Sequence, residues 1–227
     1  IIWVIQVMHQ LQPQPEVTTS LQLNYPTPSD LADYLDRVQL APWVNLQTEA
    51  LQVAWLILHF NHWFSHLNVT LIKGDFEPEY FPATSDTSAR IQFAHGFFNS
   101  ALHEISHWTI AGEERRKLAD LGYWYAPDGR TAEQQALFEQ VEIKPQAIEW
   151  LFAQAFGRKF RVSLDNLTGD GGNGSTFKDN VFEQLQKYFN GEAKLPRDAE
   201  RFIHCICICC RAGNPLQIDE FKREMLD

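Results

Sequence analysis

Two histidines near the middle of the chain are four residues apart, in the run His103-Glu104-Ile105-Ser106-His107. On an α-helix, residues at this spacing lie one above the other on the same face, so both imidazole rings can bind one metal ion. Glu104 is placed beside that ion, where a carboxylate can accept a proton from bound water or position a ligand. The pattern predicts a helix that provides two metal ligands, with Glu104 as the catalytic residue.

A metal ion held by two histidines needs at least one further protein ligand. A predicted downstream helix carries polar residues at spacings of three and four, which place them on one face. They are Glu139, Glu142, Gln146 and Glu149. We choose Glu142, close to the helix-disrupting Pro145, as the third ligand, and keep Glu139 as the alternative. Two histidines and one carboxylate leave open positions for water, oxygen or substrate.

Periodicity and turn signals predict the elements that position these residues. The first half of the chain is predicted to contain a helix over 48–64, a strand over 69–73, an acidic loop over 74–82, a strand over 90–96 and the metal helix over 97–111, which ends before Gly112. An aromatic strand or wall over 122–127 and a helix from Thr131 to about Ile143 follow, and Pro145 either kinks that helix or starts a new one over 145–156. The last predicted elements are a strand over 160–164, helices over about 176–190 and 197–210, and a short helix near 217–226. Thr131 and Gln134 have the spacing of a capping box. We predict one domain over 48–227, preceded by an N-terminal extension over 1–47 with a short helix over 29–36.

The net charge of -10 disfavours binding to nucleic acid, whose phosphate backbone requires a basic surface. It suits a cationic partner better. For the acids Asp75, Glu77 and Glu79 the favoured interpretation is a solvated loop, and the alternative is that they add negative charge at the mouth of a cleft. No apolar run is long enough to cross a membrane, and the short run 1–7 lacks the basic residues that precede a secretory signal. We therefore expect a soluble, cytoplasmic protein that does not bind membranes.

Two other groups of potential metal ligands are present. His59, His62 and His66 share a helix face, but with no acid or cysteine beside them a polar stripe on a buried helix is the favoured interpretation. All four cysteines lie within Cys205–Cys210. Cys207 and Cys210 have a metal-binding spacing, but without a second pair we favour free or buried thiols.

The two-histidine pattern serves two chemistries. With zinc, it supports peptide hydrolysis with Glu104 as the base. With Fe(II) and a carboxylate, it supports oxygenation. None of the eight histidines begins the His-x-Asp/Glu pattern of the common 2-oxoglutarate oxygenases. A binding module whose histidines are structural is a third hypothesis, and spacing alone does not distinguish the three.

Several separate runs, in the same order and at similar spacings over about residues 50–205, resemble the elongation factor P hydroxylase family. These runs are Leu71-Ile-Lys-Gly-Asp75, Ala94-His-Gly-Phe97, His103-Glu-Ile-Ser-His-Trp108, Ile110-Ala-Gly112, Gly122-Tyr-Trp-Tyr125, Pro127-Asp-Gly-Arg130, Val141-Glu142 and Lys144-Pro-Gln-Ala147.

The resemblance implies a zincin-like α+β fold, in which a small mixed sheet packs with helices and one helix carries His-Glu-x-x-His. It implies an oxygen-dependent protein-lysine hydroxylase rather than a peptidase, with the β-lysylated lysine of elongation factor P as substrate. It also implies His103, His107 and Glu142 as ligands of a divalent ion, Fe(II), with O2 as co-substrate. The long extension over 1–47 and the cysteine-rich run depart from the family pattern.

Overall fold

The computed structural model describes residues 42–122, 130–164 and 174–227. Within these ranges the α-helices are α1 (Glu49–Trp63), α2 (Phe98–Arg115), α3 (Ala132–Ala155), α4 (Ser175–Phe189) and α5 (Arg197–Cys210), and the strands are β1 (Val69–Lys73), β2 (Glu79–Phe81) and β3 (Ala89–Phe93). Short 3-10 helices lie at Trp43–Asn45, Ser65–Leu67, Ala94–Gly96, Ala119–Gly122, Ile218–Glu220 and Arg223–Leu226. This arrangement confirms the α+β class.

The three strands form a small mixed sheet in the order β1-β3-β2. β1 runs parallel to β3, with Val69 opposite Ala89, and β2 runs antiparallel to β3, with Glu79 opposite Gln92. Mixed pairing follows from the connections, because a parallel pair needs a long crossover whereas an antiparallel neighbour does not. The helices pack against this sheet and against one another.

Two boundaries in this region differ from the prediction. The predicted loop over 74–82 contains β2, because Tyr80 is buried, its N–H donates to Asp120 Oδ1 and its hydroxyl donates to the Arg116 carbonyl. The strand predicted over 90–96 ends at Phe93. His95 and Gly96 have φ values of 50° and 74°, so the chain leaves the extended conformation before α2 begins.

The helix that carries the two histidines, α2, begins where Glu49 of α1 accepts a hydrogen bond from the Phe98 N–H. The carboxylate satisfies one of the N–H groups that a helix N-terminus leaves without an intrahelical partner. Gly112 has φ 70° and ψ 175°, so the regular helix is interrupted there, close to the predicted end at residue 111. α1 connects to α2 through both packing and this cap.

The helix that supplies the predicted third ligand, α3, begins with the predicted capping box between Thr131 and Gln134. It continues without a break to Ala155, and Pro145 lies inside it. The alternative prediction that a new helix begins at Pro145 is therefore wrong. The consequence is that all four polar positions of the predicted face belong to one continuous helix.

The predicted strand over 160–164 is wrong, because this segment has no regular secondary structure. Its backbone groups bond to side chains of α3 instead of to a neighbouring strand. Gln146 bonds to both the N–H and the carbonyl of Ser163, and Gln135 donates to the Leu164 carbonyl. Side-chain partners can satisfy buried backbone groups as a sheet does, which explains why strand-like residues occur here without a strand.

Aromatic side chains dominate the core between α1, α2, α3 and α5. Phe60, Trp108, Phe152 and Phe202 are almost fully buried, and Phe202 meets Phe152 edge-on at 4.8 Å between ring centroids. Trp43 also packs into this core, and its Nε1 donates to the Phe156 carbonyl. The last residues of the predicted extension thus contact the domain.

The remaining predictions vary in outcome. Helix α1, strand β1, and helices α4 and α5 are confirmed. The short helix near 217–226 consists of two 3-10 helices. The predicted helix over 29–36 and most of the aromatic run over 122–127 lie outside the described residues. Among the described helices, none combines the length and hydropathy needed to cross a membrane.

Candidate metal centre

His103 and His107 lie one turn apart on the side of α2 that faces α3. Their Nε2 atoms are 3.1 Å apart, and the two rings meet edge-on. His107 is buried, whereas His103 is partly exposed. The spacing that predicted a shared metal face therefore brings the two ring nitrogens together.

Glu142 of α3 completes the group. Its Oε1 lies 3.2 Å from His107 Nε2, and its Oε2 lies 3.8 Å from His103 Nε2. The side chain is 1 % exposed. Burial alone would raise the pKa of Glu142, but the hydrogen bond and charge of His107 outweigh it and lower that pKa to about 2. Glu142 is therefore an ionised carboxylate, the form that binds metal.

These three side chains have the separations that one metal ion requires. Two nitrogen or oxygen ligands of a first-row divalent ion lie about 3.0–3.5 Å apart, since each is about 2.1 Å from the metal. The distances from His107 Nε2 to its two neighbours, 3.1 and 3.2 Å, fall in this range. Within the described ranges, His103, His107 and Glu142 form the single group of three such ligands. Two imidazoles and a carboxylate suit several divalent ions, including Fe(II) and Zn(II).

The alternative third ligand, Glu139, does not join this group. Its Oε1 accepts a hydrogen bond from Gln135, one turn earlier on α3, at 3.2 Å. Glu142 points its carboxylate at the histidines because it lies nearly one turn further along the helix. Of the two residues that the sequence left open, the structure brings Glu142 to the histidine pair.

Glu149, two turns beyond Glu142 on α3, contacts the other nitrogen of His103. Its Oε2 lies 2.8 Å from His103 Nδ1. Burial lowers the pKa of His103, but the hydrogen bond and negative charge of Glu149 outweigh it and raise that pKa to about 10. The field that favours a proton on His103 also favours a metal cation at Nε2, because metal and proton compete for the same lone pair.

Glu104 lies on α2 next to His103 and is half-buried. Burial raises the pKa of its carboxyl, the two histidines oppose this rise, and repulsion from Glu142 and Glu149 adds to it. The pKa of Glu104 is therefore above its ordinary value. A carboxyl group with a raised pKa can hold and release a proton closer to neutral pH.

The second group of histidines forms no such cluster among the residues described. His59 is buried and stacks on Trp55 at 3.6 Å between ring centroids, with Nδ1 2.8 Å from the Trp55 carbonyl oxygen. Burial lowers the pKa of His59 to about 4. His66 Nε2 lies 3.1 Å from the Arg201 guanidinium. His59 is therefore a neutral core residue, in agreement with the favoured interpretation.

The cysteine run forms no metal group in the described ranges either. All four thiols are free, and Cys205 and Cys207 are buried. Burial raises the pKa of Cys207 to about 11 and that of Cys209 to about 12. Thiols with such pKa values are poor nucleophiles at neutral pH.

The helical spacing predicted that Gln146 and Glu149 share the face of Glu142, but neither was chosen as the third ligand. Glu149 bonds to His103, and Gln146 donates to Glu142 Oε2 at 3.3 Å. The signal was the spacing: Glu142, Gln146 and Glu149 recur at four and three residues, so all three reach the same side of α3.

Comparison with known proteins identifies the family. The sequence model of the family described as elongation factor P hydroxylase matches residues 59–221. The chain is also similar to the elongation factor P lysine hydroxylase of Haemophilus influenzae, with 50% identity over 147 residues that cover 64% of this chain and 82% of that protein. The region 59–221 that the family model matches contains the histidine pair, Glu142 and Glu149. The chain therefore belongs to the elongation factor P hydroxylase family.

Proposed function

We propose that this protein hydroxylates elongation factor P, at the lysine that already carries a β-lysyl group, using a metal ion bound by His103, His107 and Glu142. The observation that carries the proposal is the convergence of these three side chains at 3.1–3.8 Å. The family match and the name of the Haemophilus influenzae relative supply the substrate. The reaction is an oxygen-dependent oxidation, so the enzyme is a monooxygenase-type oxidoreductase.

We propose iron as the metal because the chemistry is oxygenation, which this ligand set supports with Fe(II). When bound, Fe(II) held by two histidines and one carboxylate would supply the activation of O2 that inserts oxygen into an unactivated C–H bond. The protein prepares the ligands: Glu149 holds the Nδ1 side of His103, which leaves the lone pair of Nε2 directed at Glu142 and His107. Burial of Glu142 and His107 excludes water from that side of the site.

Glu104 is the proposed catalytic residue. Its carboxyl lies beside both histidines and has a raised pKa, so it can exchange a proton with a group bound in front of them. The ionised carboxylate of Glu142, whose pKa is lowered, also gives the site a negative field. Such a field attracts the two ammonium groups of a β-lysylated lysine.

We place the catalytic domain at 48–227 with a zincin-like arrangement, in which β3 leads into the helix bearing His-Glu-x-x-His. Residues 1–47 form an extension whose end packs on the core through Trp43. Elongation factor P acts in translation, so the enzyme works in the cytoplasm. The net charge of -10 fits a partner that is not nucleic acid.

The zinc peptidase hypothesis has no support from the family or from the relative. A reconstituted reaction separates the two. Purified chain, loaded with Fe(II) and supplied with O2, a reductant and β-lysylated elongation factor P, is expected to add one oxygen atom to that substrate. His103→Ala and His107→Ala are expected to abolish the addition. Cleavage of the substrate by the zinc-loaded chain, without oxygen addition by the iron-loaded chain, would support the peptidase instead.

A further inference from the structure

One glutamine joins the third ligand to a neighbouring segment of backbone. Gln146 lies on α3 one turn after Glu142, and it is 0 % exposed. Its Nε2 donates to the Ser163 carbonyl at 2.7 Å, and its Oε1 accepts from the Ser163 N–H at 3.0 Å. Its Nε2 also donates to Glu142 Oε2 at 3.3 Å. The amide therefore uses both of its N–H groups and its carbonyl oxygen.

The backbone of Ser163 fixes which way this amide points. The Ser163 N–H requires an oxygen and the Ser163 carbonyl requires an N–H, so an amide rotated by half a turn would lose both bonds. With this orientation fixed, the second N–H of Gln146 points at Glu142 Oε2. No water can replace it, because the amide is fully buried.

The fixed Gln146 amide in turn restricts the orientation of the Glu142 carboxylate. One oxygen, Oε2, accepts from Gln146, while the other, Oε1, lies 3.2 Å from His107 Nε2. A carboxylate held at one oxygen has lost its freedom to rotate about its last side-chain bond. Partners of this kind commonly change metal affinity by about 10- to 100-fold when they are removed.

We propose that Gln146 is a positioning residue that fixes the Glu142 carboxylate for metal binding, using the Ser163 backbone as its anchor. This inference rests on the metal site of the proposed function. It assigns Gln146 a role beyond packing, in which the Ser163 backbone holds the amide that contacts Glu142.

The chain offers a matched control on the same helix. Gln135 is also buried and also bonds the segment, donating to the Leu164 carbonyl at 3.2 Å. Its other donor bond goes to Glu139, which is outside the ligand group, and not to Glu142. Gln135→Met therefore removes one of the bonds to the segment, whose Leu164 carbonyl also accepts from Arg130, without touching the ligand. Gln146→Met removes both the Ser163 bonds and the Glu142 contact.

The test titrates the full-length chain with Co(II) alone, by calorimetry and by visible absorption, which reports ligand geometry. We expect Gln146→Met to weaken Co(II) binding about 10- to 100-fold and to alter the absorption bands. Gln135→Met should keep the affinity and bands of the parent chain while melting at a lower temperature. Gln146→Asn, whose shorter amide cannot reach both partners, provides the same test if the methionine variant does not fold.

Two results would overturn the inference while leaving the proposed function intact. One is that both Gln146 variants bind Co(II) with the affinity and the absorption bands of the parent chain. The other is that Gln146→Met and Gln135→Met weaken Co(II) binding equally, which would show that the effect comes from the lost bonds to the segment 160–164 and not from the contact with Glu142. A His103→Ala chain that binds Co(II) as the parent does would instead contradict the metal site, and the role of Gln146 with it.

Discussion

Glu149 and His103, on different helices, are joined by a contact of 2.8 Å between a carboxylate oxygen and Nδ1. This pair spans the interface between α2 and α3, and it fixes the His103 ring, a proposed metal ligand, through the nitrogen that does not face the metal site. The same α3 face provides Glu142 in front of the ring and Gln146 behind Glu142. The site is therefore built by the packing of two helices, each of which is held elsewhere in the core.

Replacing Glu149 by glutamine tests this contact. The amide can still accept the Nδ1 proton of His103, but the negative charge is gone, so Nε2 becomes a weaker donor to a metal ion. We expect the affinity for Fe(II), measured anaerobically, to fall about 10-fold. Glu139→Gln on the same helix is the control and should bind like the parent chain. Equal affinity of the two variants would remove Glu149 from the site.

Substitutions at Glu104 and at Glu142 should have different effects, the first on hydroxylase activity and the second on metal binding. Glu104→Gln is expected to bind one Fe(II) per chain with near-parental affinity and to lose most of its hydroxylase activity, because the proton carrier is absent. Glu142→Gln is expected to lose the metal itself, because a neutral amide replaces an ionised ligand. Metal analysis of the dialysed proteins, alongside oxygen addition to elongation factor P, measures both. Full activity of Glu104→Gln would contradict the assigned role.

His59 should make stability depend on pH. Its pKa is about 4 in the folded chain and 6.5 as an unperturbed group, so the unfolded chain binds the proton more tightly. The free energy of unfolding should fall as the pH decreases below about 6.5, by about 2 kcal/mol between pH 7 and pH 5 from this group. His59→Phe retains an aromatic ring against Trp55 and cannot titrate. Urea unfolding at the two pH values should show a smaller decrease for this variant than for the parent, and an identical decrease would exclude His59 as the cause.

The end of α2 is held to α5 by a buried ion pair. Arg116 lies 2.7 Å from Asp198, covers the Trp108 ring at 3.7 Å and donates to the Trp108 carbonyl. Arg116→Ala leaves the Asp198 charge buried without this partner, and we expect a loss of about 3 kcal/mol in unfolding free energy. Adding Asp198→Asn to that variant should recover part of the loss. Destabilisation of the double variant by the sum of the two single effects would show that the pair is not coupled.

The sequence was sufficient to predict helices whose periodicity and capping residues are local. The spacing of His103 and His107 predicted a shared helix face, and the Thr131 cap predicted the start of α3. It failed at 160–164, where β-branched and aromatic residues predicted a strand. The backbone groups of Ser163 and Leu164 in that segment are instead bonded by Gln146 and Gln135, which are distant in sequence. Long-range partners of this kind leave no periodic signal.

The third ligand shows the same limit. Helical spacing placed Glu139 and Glu142 on one face but could not say which of them meets the histidines, because that depends on how α3 packs against α2. The role of Glu149 was hidden for the same reason, since its partner is 46 residues away on another helix.

The central claim is that this chain adds oxygen to elongation factor P through a metal at His103, His107 and Glu142. The most direct measurement is the intact mass of elongation factor P from cells that lack the chain, complemented with the parent or with His107→Ala. The account predicts that the parent restores a mass increase of one oxygen atom on the β-lysylated protein and that His107→Ala does not. An elongation factor P mass that is the same with the parent, with the variant and with neither would contradict it.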